Sequence, residues 1–247
     1  MSTKQKGLFF PTMYMPGPEQ MAMDVMILEK VIASSNISLA LRFYNWEGLW
    51  LSIGKNHKNL PKDWIELIKE RKISIVRRPS GGSAVLHGRG LTYCLIWLSP
   101  PRKKHEAYYL ASQWLIKGFS DLGLPLKFGE QVVNPSSENC FSTSTAADLI
   151  DPKGCKRIGS AQLWRKGHLL QHGEILLDPP PKLWLDVFKT KAPKPASPCI
   201  PRQGLDQKLK KACATYWPQL NWQNAKVTQD ELKQVSTKTK QYFFHPN

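Results

Sequence analysis

The chain has 247 residues, 41% of them hydrophobic, and its 35 lysines and arginines against 19 acids give a formal net charge of +16. That length fits one large domain, or one with a small appendage, and the charge suits an acidic protein, a nucleic acid or an anionic surface as partner. Five cysteines without regular spacing or a CxxC pair speak against a disulfide framework and a zinc site, and no run has the length and apolarity of a signal core or a membrane span, so a reducing cytoplasm, or an organelle, is the expected compartment.

In chain order, residues 19–34 read as a helix. Met21, Val25, Leu28 and Ile32 fall on one stripe, with Pro18 at the entry. Residues 39–46 read as a strand and residues 50–54 as its hairpin partner. Pro61 opens a short helix carrying Trp64, Ile65, Leu67 and Ile68. Residues 73–76 and 91–98 read as strands on either side of a polar loop. A long helix over 105–122 presents Tyr109, Leu110, Trp114, Leu115 and Phe119 as its apolar face. Residues 131–144 have almost no periodicity and read as a long exposed loop, a length usually tied to function or disorder. Strands at 156–165 and 168–177 are joined by Lys166-Gly167, and a short helix follows at 184–188. Residues 189–203, rich in Pro and Lys, read as a linker or surface crossover. Helices at 204–217 and 229–240 close the chain.

The stretch that organises the rest is Arg77-Arg78-Pro79-Ser80-Gly81-Gly82-Ser83-Ala84-Val85-Leu86-His87. Consecutive glycines let a backbone approach a ligand and aim N–H groups at it, and an arginine is a fixed fork for a carboxylate, a phosphate or a polarised carbonyl. Taken alone, Ser-Gly-Gly is also a common turn. Against that reading, Pro79 stiffens the loop entry, and apolar strands flank the loop as they flank functional loops on a packed scaffold.

Cys140, in a polar stretch, is the first candidate nucleophile, and Cys155, beside Lys156, is its competitor; Cys94, Cys199 and Cys213 read as structural. Lys156 is either a solvated lysine at a strand start or a group aimed at a ligand.

These pieces together resemble the lipoate–protein ligase and octanoyltransferase family. The resemblance is carried by Met21-Ala22-x-Asp24, Leu41-Arg42-Phe43-Tyr44-x-Trp46, Leu51-Ser52-Ile53-Gly54, Arg77-Arg78-Pro79-Ser80-Gly81-Gly82, Ala84-Val85-x-His87, Lys156-x-x-Gly159-Ser160-Ala161-Gln162 and Leu170-Gln171-His172-Gly173, in the family's order. It implies an α+β fold, the mixed β-sheet flanked by helices of the biotin/lipoate ligase catalytic domain, over residues 1–190. Residues 191–247 are expected as a helical extension packed on it. The resemblance further implies an acyl tail lying beside the 77–82 loop with Lys156 at its carbonyl. Arg77, Arg78, Ser80, Gly81, Gly82, His87, Gly159, Ser160, Ala161, Gln171, His172 and Gly173 are the substrate-binding residues it suggests, with no metal ligand among them.

Ligases of the family typically follow the histidine with an Asp and then Gly-Asn for nucleotide and metal. This chain reads His87-Gly88-Arg89-Gly90-Leu91-Thr92-Tyr93, similar to the transferase branch, and Asn139-Cys140-Phe141 stands where that branch carries its nucleophile. The resemblance therefore implies an octanoyltransferase in lipoate biosynthesis. It would move octanoyl, or lipoyl, from acyl carrier protein to a lysine of a lipoyl-accepting protein through a thioester on Cys140, assisted by Lys156. The acceptor would be a glycine-cleavage H protein or a 2-oxoacid dehydrogenase lipoyl domain. No cofactor, nucleic acid or membrane is expected, and a monomer suffices. The alternative is an ATP- and magnesium-dependent lipoate ligase, or a relative that only binds lipoyl groups. Since neighbours on a strand face opposite ways, Cys155 is expected to point away from the site that Lys156 faces.

Overall fold

The computed structural model describes residues 5–129 and 148–244. The elements in order are β1 (Lys6–Phe9), β2 (Met13–Met15), α1 (Gly17–Ile32), β3 (Ile37–Trp46), β4 (Trp50–Ile53), α2 (Lys62–Lys69), β5 (Ser74–Arg77), β6 (Val85–His87), β7 (Leu91–Trp97), α3 (Lys104–Asp121), β8 (Lys127–Phe128), β9 (Leu149–Ile150), β10 (Lys156–Arg165), β11 (His168–Ile175), α4 (Pro181–Phe188), α5 (Leu205–Tyr216), β12 (Asn221–Asn224), α6 (Gln229–Lys238) and a 3₁₀ turn at Thr239–Tyr242.

A large mixed sheet runs in the order β12-β1-β3-β7-β11-β10-β9-β8, with β2 also paired to β3. Its central strands are apolar on both sides because both faces are covered. Leu41, Phe43, Tyr93 and Leu95 point towards α3 and α5, while Ala40, Tyr44, Cys94 and Ile96 point towards α1. On α3 the buried face is Ala107, Ala111, Trp114, Leu115 and Gly118. Tyr109, expected inside, is 48% exposed and stacks on Phe128 instead. Gly118 lets α5 approach closely, since a Cβ there would lie 2.8 Å from Leu209.

A second sheet, β5-β4-β6, packs with α2 and α4 around a separate core. The expected hairpin of residues 39–46 with 50–54 is therefore not formed. Both edges of β3 are occupied, by β1 and β2 on one side and β7 on the other, so β4 leaves to pair parallel with β5 and antiparallel with β6. Likewise the strands before and after the Arg77–His87 stretch lie in different sheets, and the stretch contains a strand of its own, β6. It thus crosses from one sheet to the other rather than closing a turn. The β10–β11 hairpin forms as expected, with Lys166 (φ 51°) and Gly167 (φ 78°) in the paired positive-φ geometry that suits strand twist.

Residues beyond 190 are woven into the same cores. Helix α5 packs on α3, α6 packs on α1, and β12 extends the large sheet in parallel with β1. Arg157 donates to the carbonyl of Lys194 at 2.7 Å, and Ile200 is buried, so the Pro/Lys-rich stretch is an ordered crossover. Among the described residues no helix is long and apolar enough to cross a membrane.

The organising loop is pinned to the end of β4 by two backbone bonds, Arg78 N–H to Ile53 O and Lys55 N–H to Ser80 O, both 2.8 Å. Gly54 sits between them, and a Cβ there would lie 2.1 Å from the carbonyl oxygen of Gly82, a backbone atom that cannot swing aside. At Gly81 a Cβ would meet nothing within 4 Å. Gly54→Ala is expected to destabilise the fold by about 1–3 kcal/mol, whereas Gly81→Ala stays close to the parent. Thermal or urea unfolding of both variants checks this, and equal midpoints would show that the close approach imposes nothing.

Candidate active site

Where the loop meets the β10–β11 hairpin there is a narrow cavity, with about 60 Å³ open to the centre of a water molecule. One wall is Gly159, Ser160 and Ala161 of β10 with His172, Gly173 and Glu174 of β11. The hairpin register sets Ser160 against Gly173 and Ala161 against His172, so the two sequence motifs form one surface. Gly173 keeps that wall flat: a Cβ would stand 2.7 Å from Gly159 O and from the Tyr93 ring. The facing wall is Arg78, Gly82, Val85 and His87, and the remaining sides come from Met21, Tyr44, Trp46 and Thr92, with Asp148 and Lys156. Lys156 Nζ lies 2.8 Å from Asp148 Oδ2, and both side chains are about 5% exposed. A buried ammonium needs such a partner, because desolvation otherwise expels its charge.

Not every expected residue lines this slot. Arg77 faces outward: its Nη1 donates to the carbonyls of His57 (2.6 Å), Lys55 (3.1 Å) and Gly54 (3.3 Å), and its guanidinium lies over Phe244. Gln171, next to His172 on the strand, points to the α3 side. There it donates to Tyr93 Oη at 2.9 Å and to Ser112 at 3.2 Å, and Tyr93 Oη in turn meets Ser160 Oγ at 2.7 Å. Gln171 thus supports the wall from behind. Gly81 and Ser80 are off the lining; Ser80 is 1% exposed beneath the loop.

Arg78 is the centre of the loop. Its Nη1 donates to Ser52 O (2.7 Å) and Oγ (2.9 Å), and its Nη2 to Gly81 O (3.0 Å) and Ser83 O (2.9 Å). His87 Nδ1 lies 2.8 Å from Glu174 Oε2, a carboxylate oxygen that only accepts, so the neutral ring carries its proton on Nδ1 and donates it there. Its Nε2 then accepts from Ser52 Oγ, 2.6 Å away. Thr92 also donates to Glu174 Oε2 and accepts from Trp46 Nε1 at 2.7 Å, while Trp46 stacks on the His87 ring. Burial holds the His87 pKa below its ordinary value; Glu174 opposes that, and the positive charge of Arg78 adds to it.

A second relay runs beside the first. His172 Nδ1 meets Asp24 Oδ2 at 3.0 Å, and its Nε2 meets Ser80 Oγ at 2.5 Å. Asp24, wholly buried, also accepts from Tyr44 Oη at 3.1 Å and faces Arg42 at 3.6 Å. The atom order of both relays is that of a nucleophilic triad. Neither serine lines the slot, however, and neither is more than 1% exposed, so the relays fasten the loop and β6 to the large sheet. Asp24, Ser52 and Thr92 stand in the motifs quoted above but were given no role from sequence, and Glu174 was not among the expected site residues. For Asp24, an acid inside the apolar stretch of α1 was the signal available.

Cys140 lies outside the described residues. Cys155 is off the slot lining, with its Sγ 3.8 Å from Lys156 O, and burial pushes its thiol pKa up. The thiols of Cys94 and Cys213 are fully buried and raised well above the usual range for the same reason. Cys199 is exposed in the crossover.

The His87 relay predicts a pH dependence of stability. Below the ordinary imidazole pKa of 6.5 the unfolded chain takes up a proton that the folded one refuses, so stability falls as pH falls from that value towards the lowered one. In His87→Asn the fall of unfolding free energy through this window should be shallower. Equal slopes in denaturant titrations would contradict the neutral, buried ring.

Residues 16–206 match the model of the lipoyl protein ligase A/B catalytic domain. An octanoyltransferase LipM of Geobacillus kaustophilus is 35% identical over 198 residues, covering 75% of this chain and 70% of that protein. The LipM of Halalkalibacterium halodurans is 37% identical over 160 residues, covering 60% of this chain and 58% of the relative. The fold is that of a bi-partite lipoate protein ligase of Thermoplasma acidophilum, solved with its E2 lipoyl domain: TM-score 0.75, 18% identity, 96% of this chain and 92% of that one. On these matches, with the motif-bearing strands and loop assembled around one slot, the chain belongs to the lipoyl protein ligase A/B catalytic-domain family.

Proposed function

We propose that the chain is an octanoyltransferase of this family. It takes an octanoyl group from acyl carrier protein and delivers it, without nucleotide, to a lysine of a lipoyl-accepting protein such as an H protein or a lipoyl domain. The observation that carries the reading is the slot itself. It is a narrow, glycine-flattened cavity lined by the carboxylate-held ammonium of Lys156, in a chain whose relatives named above are octanoyltransferases.

The chemistry follows from a thiolate's being both nucleophile and leaving group. In the first step the Cys140 thiolate attacks the thioester carbonyl, a C–S bond to Cys140 forms, and the carrier's thiolate leaves and takes a proton. In the second the acceptor's lysine amine attacks the acyl-cysteine, an amide forms, the amine loses a proton, and the Cys140 thiolate is released. Lys156, kept charged by Asp148, favours the thiolate and the tetrahedral oxyanion. The backbone N–H of Gly82, the glycine of the turn that lines the slot, is a further oxyanion donor, typically worth about 3 kcal/mol. The apolar walls take the alkyl tail. Arg78, His87 and His172 fix the wall on which that tail lies.

Intact-protein mass after mixing with octanoyl acyl carrier protein and no nucleotide should show an adduct of about +126 Da, the covalent intermediate. The adduct should be lost in Cys140→Ala and retained in Cys155→Ser. Product formed only with ATP, magnesium and free lipoate would replace this reading with the ligase. Asp148→Asn should lower the rate of adduct formation by roughly ten- to a hundredfold, since it leaves a buried ammonium unpaired. A rate equal to the parent's would remove Asp148 from the mechanism.

A further inference from the structure

A second, larger concavity lies on the outer side of the organising loop, with about 740 Å³ open to the centre of a water molecule. Its cations are Lys55, Arg77, Arg78, Arg165 and Lys238, and its one acid is Glu29. Glu29 does not cancel that charge. It bridges Arg165 (2.7 Å) and Lys238 (3.1 Å), holding two cations side by side at the rim with a net positive charge. Arg77 is fixed in place by its three carbonyl bonds and by Phe244. Lys55 is exposed on the turn that these bonds brace. Fixed cations bind an anion with little further loss of side-chain entropy. The half-buried Leu163 adds an apolar side chain beside them, while Trp164, its neighbour on β10, packs on the opposite face of the sheet. Arg78 lines both this groove and the acyl slot, so the two adjoin at that residue.

We propose that this groove is the docking site of the acyl donor, receiving the acidic surface of the carrier protein and the phosphodiester at the root of its acyl-bearing arm. The inference rests on the transferase reading given above. The arm's anionic root matches the fixed cations, its methylene groups have the apolar side chain of Leu163 to lie on, and its acyl end reaches the slot past the loop. The overall charge of +16 would steer any acidic partner. Among the described residues the groove places a cluster of that charge next to the slot. On the opposite face of the large sheet, α5 carries an equally exposed pair, Lys208 and Lys211, far from any wall of the slot.

That contrast gives the test. Lys55→Glu/Arg165→Glu and Lys208→Glu/Lys211→Glu lower the net charge equally. The rate of octanoyl loading, read by intact mass, is compared for octanoyl acyl carrier protein and for octanoyl-pantetheine, which has the same thioester but neither protein nor phosphate. The groove pair should slow loading from the carrier protein by roughly ten- to a hundredfold and flatten its salt dependence. It should leave octanoyl-pantetheine at the parent rate, and the α5 pair should behave as the parent with both donors. Equal effects of the two pairs would reduce the groove to general steering and overturn the proposal. So would a groove pair that loads normally but is slow in passing the acyl group from loaded enzyme to a lipoyl domain, which would assign the groove to the acceptor. Lys55→Gln/Arg165→Gln, with a smaller loss in the same direction, guards against misfolding of the reversed pair. A parent that loads from neither donor would sink the transferase reading itself. The docking claim is then decided by binding of the carrier protein alone, which the groove pair should abolish and the α5 pair should not; retained binding by the groove pair would overturn it.

Discussion

A buried arginine is the constraint on which the rest of the site depends. Arg78 is 5% exposed, and an isolated charge at that depth is costly enough to unfold a loop. Its hydrogen bonds to Ser52, Gly81 and Ser83 satisfy the guanidinium, and its charge is answered through Ser52 and His87 by the carboxylate of Glu174. Because the carboxylate of Glu174 can only accept, a single neutral tautomer of His87, protonated on Nδ1, satisfies that series. The small sheet is thereby keyed to the large one by polar contacts, alongside the apolar packing of Trp50 and Val76 against the α1 side of the large sheet. The shape of the slot wall follows from that key: β6 and the loop cannot move off β11 without stranding a charge.

The slot's chemistry and its walls have different origins. The walls are a matter of what has been removed. Gly173 in the slot wall and Gly54 under the loop allow backbone approaches that no side chain would fit. The chemistry is a matter of what is held. The ion pair of Lys156 with Asp148 keeps a positive charge in a dry place, where it acts more strongly on a developing anion than it would in water.

Much of this was legible in the sequence, because some elements report themselves locally. Lys166-Gly167 between two apolar runs fixed a hairpin, and the helices at 204–217 and 229–240 lie within a few residues of α5 and α6. The fold family was legible from motifs in order. Partnership was not. Strand β4 looked like the partner of β3 because it follows it, and only the occupancy of both edges of β3 decides otherwise. The three- and four-residue strands β1, β2 and β12 are too short for any period to show. The motif Gln171-His172-Gly173 was read as one binding surface, yet the two-residue period of a strand puts Gln171 behind the wall and His172 in it. The roles of the relay acids were not legible because His172 meets an aspartate 148 residues away and His87 a glutamate 87 residues away, distances that no local pattern encodes.

The central claim is that the acyl tail lies in the slot between the loop and the β10–β11 hairpin. Photolabelling tests it most directly: a thioester of an octanoyl analogue with a diazirine on its chain is loaded, irradiated, and the labelled peptides are mapped by mass. The account predicts labels at slot walls such as Met21, Tyr44, Trp46 and Val85. Labels confined to the outer groove, at Lys55, Trp164 or Tyr242, would contradict it.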